Sequence, residues 1–296
     1  MRTMSLFESG DSSGEVSLGE LFKGTDDFQT IANNDFSIEE VIFLMLRGGW
    51  PISVLADRSI ALEVTKNYCD GLFMFENGEN SFFRNKRPEL MRAILQSLAR
   101  NISTPAPNTT IIADLAGHTI DTKTFDDYYE ALQDLFIVEE IMAWSPNIRS
   151  KTAIRSTPTK HFIDTSVACH ALGVTAEDFK KDLNTFGLFF EDFALRDLSI
   201  YVGANGGNVK YYRDNTGLEC DAVVTLSDGR WGAIEIKLGG EELIEKGAKS
   251  LKLFQNKIVE KSDERAPEFL MVLTAFGPSY RREDGVLVVP INMLRD

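Results

Sequence analysis

The sequence predicts an α/β (α+β) fold, in which a mainly helical N-terminal region precedes a mixed core of helices and strands. Helical capping and apolar patterns prevail from residue 37 to about residue 134. After residue 190, three short strand-like runs follow a helix, at residues 209–213, 218–226 and 231–238. An amphipathic helix and two apolar strands complete the core, at residues 241–260, 268–274 and 285–289.

The N-terminal region begins with a short segment and continues in two helical stretches. Ser17 and Glu20 have capping-box spacing, but residues 1–35 are too few for a domain. From Ser37, a mostly apolar helix runs to Gly48-Gly49. Residues 53–83 are predicted to be helical with an aromatic-rich tail. Its aromatic residues favour a core over a base-stacking surface, because few cations lie among them: Tyr68, Phe73, Phe75, Phe82 and Phe83.

Residues 88–145 have the element order of a winged helix: helix, short helix, turn, helix and strand. Asp121 is a suitable cap for the third helix. A DNA-reading third helix presents cations or amides, whereas this one presents acidic residues beside Lys123. The acidic residues are Asp126, Asp127 and Glu130. A structural or protein-docking role is therefore favoured, with DNA reading as the alternative.

Two groups of cations could follow a nucleic-acid backbone, but both are more typical of solvated surfaces. One group lies between the two regions and consists of Arg149, Lys151, Arg155 and Lys160. The other lies on the polar face of the amphipathic helix and consists of Lys246, Lys249, Lys257 and Lys261.

Composition restricts the function classes further. The formal net charge of −14 repels a polyphosphate at long range and weakens a nucleic-acid hypothesis. No apolar run is long enough to span a membrane and no signal peptide is recognisable, so we expect a cytoplasmic protein without a membrane partner. Cys69, Cys169 and Cys220 lack metal or disulfide spacing and are expected to be reduced packing residues. The three histidines share no spacing typical of a metal site.

The strands after residue 190 carry a pattern of carboxylates and a lysine. Side chains alternate across a strand, so Glu235 and Lys237 share one face, away from Ile234 and Ile236. Strict alternation likewise sets Asp221 against its apolar neighbours, and hairpin pairing brings it beside Glu235. The apolar neighbours are Cys220, Ala222, Val224 and Leu226.

These residue types suit a hard divalent cation such as Mg²⁺ or Mn²⁺, which prefers carboxylate and carbonyl oxygens. Asp221, Glu235 and the carbonyl of Ile236 are the candidate ligands, and Glu191 on the preceding helix reaches the cation directly or through water. Lys237 would orient or help deprotonate an attacking water. Gln255, at the border of the amphipathic helix, is a further candidate catalytic residue facing the carboxylates. The alternative is a surface hairpin with ordinary polar residues on its solvent face.

The set of Glu191, Asp221, Glu235 and Lys237 resembles the PD-(D/E)xK nuclease superfamily. This resemblance implies a restriction-endonuclease-like αβββαβ core over about residues 180–290 and a metal-dependent DNA phosphodiesterase activity. Cys220 stands where the motif name has proline.

Longer stretches resemble the domain of unknown function that follows the ATPase module in many prokaryotic AAA-type ATP-binding proteins: HFIDTSVACHALG, YYRDNTGLECDAVV and AIEIKLG. MRTMSLFESGDSSGEVSL is similar to the closing segment of that module. No GxxxxGK[ST] phosphate loop occurs, so no ATP site is expected in this chain. The resemblance implies three parts: an ATPase remnant at 1–35, a helical region at 36–160 with a winged-helix-like unit at about 88–160, and a nuclease-like domain at 161–296.

Three functions follow from these patterns. The first is cleavage of DNA at a divalent-cation site. The second is a catalytically silent nuclease-like module that docks a protein partner or regulates an ATPase module. The third is DNA binding through the winged helix.

Overall fold

The computed structural model describes residues 2–24, 28–32, 34–71, 86–115, 117–146, 156–262 and 265–296. The predicted α/β fold is confirmed within these ranges. The predicted aromatic tail from Phe73 to Phe83 lies outside them, as do Arg149, Lys151 and Arg155 and the side chain of Lys261. None of the described helices is long and apolar enough to cross a membrane.

The helices, in chain order, are α1 Leu18–Leu21, α2 Ile38–Arg47, α3 Pro51–Val54, α4 Arg58–Gly71, α5 Pro88–Arg100, α6 Asn108–Ala113, α7 Thr122–Asp134, α8 Thr165–Leu172, α9 Ala176–Lys181, α10 Leu183–Ala204 and α11 Glu241–Ser262. The strands are β1 Val16–Ser17, β2 Val138–Ile141, β3 Thr159–Phe162, β4 Gly207–Arg213, β5 Glu219–Leu226, β6 Trp231–Lys237, β7 Leu270–Thr274, β8 Tyr280–Arg281, β9 Leu287–Pro290 and β10 Leu294–Arg295.

The chain forms two compact units, each assembled from separate segments. The first unit contains Met1–Met4, Ile42–Glu140 and Thr157–Asp192. The second contains Ser5–Val41, Ile141–Ser156 and Phe193–Asp296. The three parts expected from the family resemblance, with boundaries after residues 35 and 160, stay a prediction, because the two units are defined by contacts within the chain.

The winged-helix-like stretch has its elements in the predicted order, α5, α6, α7 and β2, and β2 pairs with β3. Asp121 caps α7 as expected, since its Oδ1 accepts a hydrogen bond from the N–H of Thr124 at 2.8 Å. Phe125, Tyr128, Tyr129 and Leu132 of α7 are buried, whereas Asp126, Asp127 and Glu130 are exposed. The acidic outer face expected from the sequence is therefore present.

A buried carboxylate, Asp164, connects two parts of the first unit. It caps α8 by accepting hydrogen bonds from the N–H of Ser166 at 3.0 Å and from the Ser166 hydroxyl at 2.6 Å. Its Oδ2 also accepts the N–H of Gly49 at 2.8 Å. A Cβ added at Gly49 would stand 2.0 Å from the carbonyl oxygen of Met4. Glycine is therefore required at position 49 by a close backbone approach, in addition to the helix-ending role expected for the Gly48-Gly49 pair.

The second unit contains a six-stranded sheet in the order β4-β5-β6-β7-β9-β8. Strands β4, β5 and β6 are antiparallel, whereas β6, β7 and β9 run parallel. Helix α10 precedes β4, and α11 crosses from β6 to β7, so the chain follows an αβββαβ order. Trp231 and Phe254 are buried in the core cluster between the sheet and α11. This packing places the carboxyl ends of β6 and β7 side by side.

The segment after Met4 is an integral part of the second unit. The N–H of Leu6 donates to Asp197 Oδ2 at 2.9 Å, and the N–H of Phe7 donates to the Tyr201 hydroxyl at 3.1 Å. Strand β1 pairs in parallel with β10 at the other end of the chain. The three cysteines are free and buried, which confirms their prediction as packing residues.

Candidate functional site

Asp221 lies at a β-bulge in β5. The register with β4 shifts between Lys210 and Tyr212, so one residue of β4 faces both Asp221 and Ala222. The extra residue changes the alternation, and Cys220 and Val223 both belong to the core cluster that packs with α11. The prediction of strict alternation along this strand was therefore wrong.

The bulge brings three predicted residues together where the β5–β6 ladder ends. The last paired residues are Ala222 and Ile234, which places Asp221 next to Glu235. The N–H of Ile236 donates to Asp221 Oδ2 at 2.8 Å. Lys237 Nζ lies 2.7 Å from Asp221 Oδ2 and 2.7 Å from Glu235 Oε2. The lysine ammonium therefore bridges the two carboxylates.

Helix α11 covers this group and adds a residue that the sequence did not indicate. Ser250 Oγ lies 3.1 Å from Glu235 Oε1 and 3.3 Å from the carbonyl oxygen of Glu219, so its one proton can be donated to either acceptor. The predicted helical residue, Gln255, instead accepts a hydrogen bond from Lys252 Nζ at 3.1 Å. Gln255 is five residues after Ser250, which turns it about 140° around the helix. The only available signal for Ser250 was a small residue one turn after Gly247 on the sheet-facing side.

The site is largely buried, with Glu235 only 5% exposed. Burial, and secondly the negative charge of Asp221, raises the pKa of Glu235 to about 7 against the opposing effect of Lys237. Burial lowers the pKa of Lys237, but the two carboxylates outweigh burial and raise it above its usual value. Lys237 therefore holds its proton firmly. Because Glu235 is buried, the alternative of a surface hairpin with these residues on its solvent face was wrong.

The carboxylates of Asp221 and Glu235 are the side-chain donors that this site offers a divalent cation. Within the described ranges, no group of three or more histidine, cysteine, aspartate or glutamate side chains could hold a metal ion. Glu191 is half-buried on α10, in the part of that helix that belongs to the first unit. Asp221 and Glu235 nevertheless contact one cationic atom at 2.7 Å each. Because Mg²⁺ is often held by one or two carboxylates with water and substrate phosphate, this pair of oxygen donors fits it.

Gly247 allows α11 to approach the site closely. A Cβ added there would stand 3.2 Å from Val272 Cγ2, 3.4 Å from Glu235 Cβ and 3.5 Å from Lys237 Cγ. We expect Gly247→Val to lower the free energy of unfolding by about 1–3 kcal/mol, because the extra methyl groups overpack this contact. The matched control is Gly203→Val in α10, where an added Cβ meets nothing within 4 Å. Urea denaturation of both variants checks the prediction, and equal effects would contradict it.

Comparisons with known families divide the chain in two. Residues 38–178 match a family model described as Domain of unknown function (DUF8612). Residues 186–294 match a second model, described as Domain of unknown function (DUF4143), and this range contains the complete β4–β9 sheet and the Asp221 site. The chain is similar to both families over these ranges. No curated protein and no solved structure matches it.

Proposed function

We propose that the second unit is the nuclease-like portion of an AAA-type ATPase-associated protein, and that it cleaves DNA phosphodiester bonds with a divalent cation. The observation that carries the proposal is the convergence of Asp221, Glu235 and Lys237 on neighbouring strands. A bulge next to a candidate active site supports it further, because bulges redirect side chains at such positions.

Each residue has a separate task in this proposal. Asp221, Glu235 and the carbonyl of Ile236 would hold Mg²⁺ or Mn²⁺, and the role of Glu191 as a ligand stays a prediction from the sequence. The cation, when bound, would polarise a phosphoryl oxygen and lower the pKa of water. The protonated Nζ of Lys237 would donate to a phosphoryl oxygen and offset the charge that develops in the transition state. Ser250 Oγ and the Ile236 N–H would keep the carboxylates in place.

The experiment is a cleavage assay on the full chain. Purified protein is incubated with single-stranded, duplex and branched DNA in Mg²⁺, in Mn²⁺ and in EDTA. We expect cleavage in at least one divalent cation, none in EDTA, and none by Asp221→Ala. If all three DNA forms stay intact under conditions where a control nuclease cuts them, the proposal fails.

A catalytically silent module is the second candidate function. It is favoured by the lysine ammonium, which already neutralises much of the charge on the two carboxylates, and by the net charge of −14. Such a module would dock a protein partner or regulate an ATPase module through the nuclease-like fold. Divalent-cation-dependent cleavage that is lost in Asp221→Ala would eliminate this candidate.

DNA binding through the winged-helix-like stretch is the third candidate. The exposed acidic face of α7 argues against it, because a DNA-reading helix needs cations or amides at those positions. If this stretch binds DNA by neutralising phosphates, its affinity for DNA should fall steeply as the salt concentration rises. Undetectable binding at low salt would eliminate this function.

A further inference from the structure

Thr274, the last residue of β7, is a buried residue beside the proposed cation site. It is the register partner of Lys237 in the parallel β6–β7 pair and is 0% exposed. Its Oγ1 has no hydrogen-bond partner among the described residues. A buried hydroxyl without a partner is costly, so each one needs a specific explanation.

The sheet geometry places Thr274 on the same face as Lys237. Val272, the register partner of Glu235, packs against α11 at Gly247, where an added Cβ would also approach Glu235 and Lys237. Register partners share a face, and so do residues two apart along a strand. The Thr274 side chain therefore lies on the α11 face, next to that of Lys237.

The lysine needs a second acceptor if the carboxylates bind a divalent cation. Its Nζ contacts Asp221 and Glu235 at 2.7 Å, where a divalent cation would also lie. Two cations cannot share that position, because their charges repel. The flexible stem of lysine allows its ammonium to turn to a neighbouring acceptor. Thr274 Oγ1 has no partner among the described residues, whereas Ser250 Oγ already lies within hydrogen-bond distance of Glu235 and Glu219.

We propose that Thr274 is a positioning residue, whose Oγ1 accepts a hydrogen bond from Lys237 Nζ when Asp221 and Glu235 hold a divalent cation. This inference rests on the proposed cation site. It explains why a buried hydroxyl without a partner lies on the strand beside the lysine. It also assigns Lys237 two positions, one between the carboxylates and one against Thr274.

The test measures the Kd for Mn²⁺ on the full chain by electron paramagnetic resonance, which needs no DNA cleavage. We expect Thr274→Val to raise the Kd about tenfold, because a hydrogen bond to a charged group is lost. Thr274→Ser keeps the hydroxyl and should bind Mn²⁺ with the same Kd as the wild type. Lys237→Met should lower the Kd, because the competing ammonium is removed, and Thr274→Val should then have no further effect.

The matched control is Ser279→Ala, which removes another buried hydroxyl without a partner among the described residues of the second unit. It should leave the Kd unchanged. If the wild type binds Mn²⁺ and Thr274→Val binds equally well, the inference fails while the proposed function stands. An equal effect of Thr274→Val with and without Lys237 also overturns the inference. If the wild type does not bind Mn²⁺, both the inference and the proposed function fail.

Discussion

Replacing Asp221 by asparagine is expected to reduce divalent-cation-dependent cleavage by at least about a hundredfold, a typical loss when one group that stabilises transition-state charge is removed. Asparagine keeps the shape and a carbonyl acceptor for the N–H of Ile236. It removes the charge that attracts both Lys237 and a divalent cation. Initial rates at saturating Mn²⁺, with unfolding curves for the same protein, check this expectation.

Asp214→Asn is the matched control for this substitution. Asp214 is another carboxylate of the second unit that pairs with a lysine, Lys257, and it accepts the N–H of Thr216 at 2.7 Å. Its loss should lower the free energy of unfolding by about 1–2 kcal/mol through weakened charged hydrogen bonds, with an unchanged cleavage rate. Equal losses of activity in the two variants would contradict a specific role for Asp221.

Replacing Asp164 by alanine is expected to destabilise the first unit by about 3–5 kcal/mol, because each buried donor left without an acceptor costs about 1–3 kcal/mol. The carboxylate is 0% exposed and accepts from the backbone of Gly49 and from both donors of Ser166. Alanine leaves these buried donors without their acceptor. Urea denaturation, monitored in parallel with the wild type, measures the change.

Asp178→Ala provides the comparison for Asp164. Asp178 also stabilises a helix start, since it closes the capping box of α9 with Thr175, but it is exposed. We expect a loss of about 1 kcal/mol, as for other helix caps. If Asp164→Ala lowers the free energy of unfolding no more than Asp178→Ala does, the account of Asp164 as the anchor of the Gly49 backbone is wrong.

Local patterns predicted much of the fold and part of the site. The cap at Asp121 follows from side-chain chemistry within three residues. The shared face of Glu235 and Lys237 follows from the two-residue period of β6, and hairpin pairing predicts that Asp221 lies beside Glu235.

Long-range packing determined what the sequence did not predict. The bulge at Asp221 leaves no signature, because one extra residue in an apolar strand changes no local preference. Contact of Ser250 rather than Gln255 with Glu235 depends on how α11 is rotated over the sheet. The pairing of Lys237 with Thr274 joins parallel strands that are separated by the complete helix α11.

The most direct test of the central claim is a crystal structure of the protein soaked in Mn²⁺, with anomalous data collected near the manganese edge. The account predicts an anomalous peak between Asp221 and Glu235, with Lys237 Nζ turned away from them. A structure without that peak, in which Lys237 still bridges both carboxylates, would contradict the assignment of this pair as a divalent-cation site.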